Sequence, residues 1–155
     1  EINHGSIQRL RNQFAKESIL YTKSEENDPA KCKILIIDTI GILAFAYRYG
    51  NIAYIGGGFG AGIHNTLEAA AYGLPVIFGP NYKKFQEAKD LIEIGAAFSI
   101  ENLRELNQKI TELIDENDKI MHAGNLAKSY IIKGVGASSL IIKMLEKDIL
   151  KFPNQ

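Results

Sequence analysis

The sequence predicts an α/β protein with a parallel sheet flanked by helices. Short apolar runs of strand length recur roughly every 20 residues, a spacing that fits a crossover helix between parallel strands. The segments between them carry apolar residues at helical spacing. The 155 residues, 46% hydrophobic and 23% charged, suffice for one domain with a core and are too few for two comfortable ones.

Residues 5 to 15 place Ile7, Leu10 and Phe14 at helical spacing. Residues 18 to 22 form a first predicted strand, and residues 32 to 37 a second that ends at Asp38. Gly41 to Tyr49 is a short apolar helix, and Asn51 to Ile55 a third strand. Asn65 to Tyr72 is a helix closed by Gly73, with Pro75 beyond it. Pro75 to Phe78 is the fourth strand, with Phe78 in the core. Phe85 to Ile94 is a helix closed by Gly95, and Ala96 to Ile100 a weaker fifth strand. Residues 101 to 116 carry a stripe of Leu103, Leu106, Ile110, Leu113 and Ile114. Asp118 to Lys133 and Ala137 to Leu150 complete the helices. Such stripes serve docking faces or, more simply, core packing. No repeat, low-complexity tract or internal linker interrupts the pattern.

Eighteen basic residues balance eighteen acidic ones, so no net field draws the chain to nucleic acid. The Lys83-Lys84 pair reads as a solvated face. Cys32 is the sole cysteine, which excludes an internal disulfide and a thiolate metal cluster; its apolar run predicts a buried structural thiol. No run approaches the ~20 apolar residues of a membrane span, and no signal peptide is visible. The chain starts with Glu1, on a helix rather than a strand. We therefore expect a strand, or a whole domain, to precede it in a longer protein.

The densest signal is the stretch YIGGGFGAGIHNTLE, residues 54 to 68. It predicts a strand, a glycine-rich loop and a helix start, a combination that lets backbone N–H groups approach an anion. It is neither the dinucleotide fingerprint nor a Walker loop. The glycines alone fit a nucleotide site or a tight turn equally. Asn65 and Glu68 have the spacing of a capping box; alternatively, Glu68 accepts hydrogen bonds from a vicinal diol. His64 is a loop histidine or a donor to a phosphate or sugar carboxylate. Phe78-Gly79-Pro80-Asn81 supplies a second loop beside the first. Asp38-Thr39-Ile40-Gly41 is a third candidate lip, although Asp38 or Thr39 N-capping the next helix is the better reading.

The segments DTIG at 38 to 41, AYIGGGFGAGIHNTLEAAAYGLPVIFGPNYKKFQEA at 53 to 88 and GAS at 136 to 138 resemble the C-terminal domain of 3-deoxy-D-manno-octulosonic acid (Kdo) transferases. The resemblance implies the GT-B fold, in which two Rossmann-like domains face each other across a cleft. It implies that residues 1–155 are a single nucleotide-sugar-binding domain, the donor half of a longer enzyme. That half would bind CMP-Kdo. The N-terminal half would bind the lipid A precursor and carry the general base, so no catalytic residue is expected in this chain. No metal or cofactor is implied. By position, Gly57 and Gly58 would approach the donor phosphate, and His64 and Asn65 would match the His-Asn of the motif. Glu68 would hold the ribose hydroxyls, and Gly79 and Pro80 would match the second loop. Three positions depart from the family pattern. Ile63 replaces a frequent glycine, Thr66 the usual proline and Ile42 a frequent glutamate.

The implied activity is inverting transfer of Kdo to a lipid A precursor in lipopolysaccharide core synthesis, at the cytoplasmic face of the bacterial inner membrane. Membrane contact would come only through the full-length enzyme, and this fragment would be soluble and inactive alone. Alternatives are a GT-B transferase or epimerase using a UDP-sugar, and a non-catalytic nucleotide-binding domain.

Overall fold

The computed structural model describes residues 4–15, 17–25, 31–136 and 141–145. They form two compact units, Glu1–Arg48 and Tyr49–Gln155. Within the first, helix α1 (His4–Gln13) precedes strands β1 (Ser18–Leu20) and β2 (Ile34–Ile36), which pair in parallel with Ile19 opposite Leu35. Ile19 and Ile36 are buried. Helix α2 (Leu43–Ala46) and a 3-10 turn at Tyr47–Tyr49 follow.

In the second unit β3 (Ala53–Ile55), β4 (Val76–Phe78) and β5 (Ala97–Ser99) form a parallel sheet in that order. Parallel pairing demands crossovers, and helices α3 (Leu67–Ala71) and α4 (Gln86–Glu93) supply them. The central strand β4 has no solvent-exposed side chain: Val76, Ile77 and Phe78 are each 0% exposed. Each contributes about 1.5–3 kcal/mol by its burial. Ile77, Ile100 and Leu113 form a core cluster, against which Phe98, Leu106 and Ile110 pack. Ala69 and Ala70 of α3 are buried where that helix packs on α6 (Asn117–Gly134), which also packs on α5 (Leu103–Asp115).

All five predicted strands are present, trimmed at their ends. Gly73 and Gly95 close α3 and α4 with positive φ of 73° and 78°, as their positions implied. Four expectations need correction. Helices 41–49 and 65–72 shrink to four and five residues, and α2 buries none of its own. The stripe of α5 is narrower than predicted. Leu103, in the capped first turn, and Ile114, near the last, are exposed. Cys32 precedes β2 rather than lying within it, and is half-buried. Asp38 does not cap α2; its carboxylate accepts the backbone N–H (3.1 Å) and hydroxyl (2.6 Å) of Thr22, tying the ends of β1 and β2. The Thr22 hydroxyl is the main reason the Asp38 carboxyl sits below its usual range. The predicted helix from Ala137 and the GAS motif lie outside the described residues, except Gly136 and the helical residues 141–145.

Candidate functional site

After β3 the chain turns back on itself. The Gly57 carbonyl accepts N–H bonds from Gly60 (2.8 Å) and Gly62 (3.3 Å), and the His64 N–H reaches Gly56 O (3.2 Å). Gly57 makes this possible with φ of 89°, a conformation costly for a residue with a Cβ. The His64 ring lies against this turn and is exposed. The loop after β4 grips the first loop. Asn81 donates its backbone N–H to Gly58 O (2.9 Å) and its Nδ2 to Gly60 O (2.8 Å). Gly58 and Gly79 cross at buried backbone positions. A Cβ on Gly58 would stand 2.6 Å from Gly79 N, and one on Gly79 would stand 2.7 Å from Gly58 C. Gly58 and Gly79 therefore have a packing reason to be glycine that does not depend on a ligand.

The start of α3 departs from the expected capping box. Asn65 Oδ1 accepts the N–H of Leu67 (2.9 Å), two residues on, and Asn65 Nδ2 donates to Glu68 Oε1 (2.9 Å). The helix begins at Leu67, and Thr66 at φ −89°, ψ −24° is the flanking residue. Asn65 thus sits one position too early to cap the third helical N–H. Glu68 Oε2 makes no hydrogen bond among the described residues, and the side chain is exposed. With five residues, α3 adds little dipole field, so the charge expected from a helix start at the loop is small. Thr66 Oγ1 is buried without a hydrogen-bond partner among the described residues.

The predicted residues do not share one wall. A cavity of about 960 Å³ opens at the carboxyl ends of β3, β4 and β5, lined by Gly60, Ala61, Pro80, Asn81, Tyr82, Lys83, Lys84, Ser99, Glu101 and Glu105. Pro80 is the one predicted residue there. A cavity of about 770 Å³ is lined by Asn65, Leu67, Glu68 and Ala71, with Tyr130, Ile131, Lys133 and Val135 from the end of α6 and beyond. Gly57, Gly58, His64 and Gly79 line neither. Sequence reasoning missed Lys83, Ser99 and Glu101, which position after a strand end could have flagged. It also missed Tyr130, which no local signal marks. Tyr130 is fixed on its wall by a hydrogen bond to Asp90 (2.7 Å), which pushes its hydroxyl up to about 12. The same bond is the first cause that lowers Asp90. Among the described residues, no group of three or more His, Cys, Asp or Glu side chains could hold a metal ion. No described helix is long and apolar enough to cross a membrane.

No protein-family model matches the chain. Curated relatives do. The 3-deoxy-D-manno-octulosonic acid transferase of Aquifex aeolicus is 40% identical over 89 residues, 56% of this chain and 25% of the relative. Those of Rickettsia typhi and Bordetella pertussis are 30% and 31% identical over 117 and 115 residues, covering 74% and 73% of this chain. The chain spans 25% and 27% of these two relatives. Among solved structures, the C-terminal CMP-Kdo binding domain of WaaA from Acinetobacter baumannii superposes with a TM-score of 0.70 at 18% identity. The match covers 82% of this chain and 67% of that one. Sequence and fold agree: the chain is similar to 3-deoxy-D-manno-octulosonic acid transferases, and its α/β fold is that of the C-terminal CMP-Kdo binding domain of WaaA.

Proposed function

We propose that this chain is the donor-binding domain of a Kdo-transferring glycosyltransferase, with CMP-Kdo as its ligand. The observation that carries the reading is the oxygen of Glu68, unbonded among the described residues, on the wall of the 770 Å³ cavity. A carboxylate with unused lone pairs suits the two hydroxyl donors of a ribose. The apolar side chains of Leu67, Ala71, Ile131 and Val135 on the same cavity offer the dry surface a nucleoside needs. The glycine loop, with Gly57, Gly58 and His64, is one segment away and would face the phosphate. Gly79 and Pro80 support it from the second loop. Backbone N–H groups there would stabilise charge on the departing CMP as the sugar becomes oxocarbenium-like.

The proposal extends to the whole enzyme. It would transfer Kdo to a lipid A precursor at the cytoplasmic face of the inner membrane, in lipopolysaccharide core synthesis. The acceptor site and the base would lie in an N-terminal domain. Residues 1–155 alone would bind CMP weakly and transfer nothing. Calorimetric titration of the chain with CMP and with UDP tests this. Tighter CMP binding is expected; tighter UDP binding would favour a UDP-sugar enzyme of the same fold.

A further inference from the structure

We propose that Asn81 is a positioning residue for the donor site: its side-chain amide holds the glycine loop in the shape that presents open backbone donors to the ligand's anionic group. This rests on the donor-binding reading above.

Two carbonyls of the first loop, Gly58 O and Gly60 O, are both satisfied by one residue of the second. The bond to Gly58 comes from the Asn81 backbone, so any non-proline residue could make it. The bond to Gly60, at 2.8 Å, comes from Nδ2 and needs an amide donor of this length. Asn81 is exposed, so packing does not explain the residue. On either side of Gly60, the N–H groups of Phe59 and Ala61 make no hydrogen bond among the described residues, and both residues are exposed. The Ala61 N–H shares a peptide unit with the Gly60 carbonyl, which the Asn81 amide holds, and the Phe59 N–H shares one with the Gly58 carbonyl, which the Asn81 backbone holds. Gly60, Ala61 and Asn81 line the same cavity. The loop is otherwise held by the Gly57 turn and by the Gly58–Gly79 crossing, both of which lie on its near side. Without the amide of Asn81, the Gly60 carbonyl loses its partner, and the N–H bonds of Gly60 and Gly62 to Gly57 O are left to hold the tip.

The decisive variant is Asn81→Asp, which keeps shape and the backbone bond to Gly58 but places an acceptor opposite Gly60 O. Above the ordinary aspartate range, near pH ~4, it repels that carbonyl; once protonated, its O–H donates as the amide did. CMP affinity is measured for wild type and variant from pH 7 down to about 4.5, with thermal melts alongside, and the ratio of dissociation constants is taken at each pH. We expect a variant weaker by about five- to tenfold at pH 7, in line with one lost hydrogen bond, and a ratio that falls toward one with acid. A ratio that is flat with pH, or one throughout, overturns the role. A ligand-free measurement separates the two claims. Amide exchange at Gly60 and Gly62 should accelerate in Asn81→Ala, and unchanged exchange overturns the role of Asn81 by itself. A folded wild type that binds no CMP brings down the donor reading instead.

Discussion

Two helices of this protein start with the same pattern, Asn-x-x-Glu, and use it differently. At α5, Asn102 Oδ1 accepts the N–H of Glu105 (3.0 Å), and Glu105 spends both oxygens locally. Oε1 takes Asn102 Nδ2 (2.9 Å) and Oε2 takes the N–H of Glu101 (2.9 Å). At α3, Asn65 satisfies Leu67, and Glu68 spends only Oε1. The first glutamate is a structural cap that bonds its own helix start through both carboxylate oxygens. The second keeps, on a cavity wall, a carboxylate oxygen that no described residue bonds. The same sequence pattern thus supports opposite readings, and the difference lies in where the helix begins.

The α3 start is held less by its cap than by the loops behind it, and Gly79→Ala should expose that. Its methyl would meet Gly58 backbone, which cannot swing aside, so a loss of ~2–3 kcal/mol is expected in urea denaturation. A loss under ~0.5 kcal/mol would show that the crossing is loose. The caps themselves come next. Asn102→Ala should cost ~1 kcal/mol and Asn65→Ala about half of that, because only Asn102 caps the third N–H of its helix. Equal costs would erase the distinction. At Thr66 the expected sign reverses. Its buried hydroxyl has no partner among the described residues, so Thr66→Val should be neutral or stabilise by ~0.5 kcal/mol.

The smallest effect lies on α5, beyond its cap. Glu112 accepts from Lys109 (2.7 Å) and Lys119 (2.8 Å), and the Lys109 bond leads in lowering its carboxyl from 4.5 to about 2. Its contribution is therefore complete above about pH 4.5 and fades as pH falls through about 2. Partial exposure holds it to ~0.5 kcal/mol. Glu112→Gln should flatten that part of the stability profile in acid melts while leaving the α3 start unchanged.

The fold was legible because strand-length apolar runs and crossover spacing survive in a single sequence: each of the five strands appears where a short apolar run placed it. Helix ends were less legible. Asn65 is a good N-cap residue by type, and only backbone angles reveal that Thr66 displaces it. The role of the glycines was half legible. Periodicity and spacing showed a loop after a strand, but the burial of Gly58 against Gly79 joins residues 21 positions apart, which no local pattern encodes. Tyr130 and Lys133 reach the Glu68 cavity from α6, a juxtaposition set by helix packing alone. Asn81 stood in the sequence as part of a loop; its two bonds to the glycine turn became visible only in three dimensions.

The central claim is that Glu68 turns its unbonded oxygen to a ligand, whereas Glu105 serves its own helix start. The most direct measurement compares Glu68→Ala with Glu105→Ala, recording CMP affinity by calorimetry and the melting temperature of each. The account predicts that Glu68→Ala weakens CMP by about tenfold or more with a stability loss under ~0.5 kcal/mol. Glu105→Ala should lose ~1 kcal/mol of stability and leave CMP affinity unchanged. If Glu68→Ala lowers the melting temperature and leaves CMP binding intact, Glu68 is a cap like Glu105, and the donor site lies elsewhere.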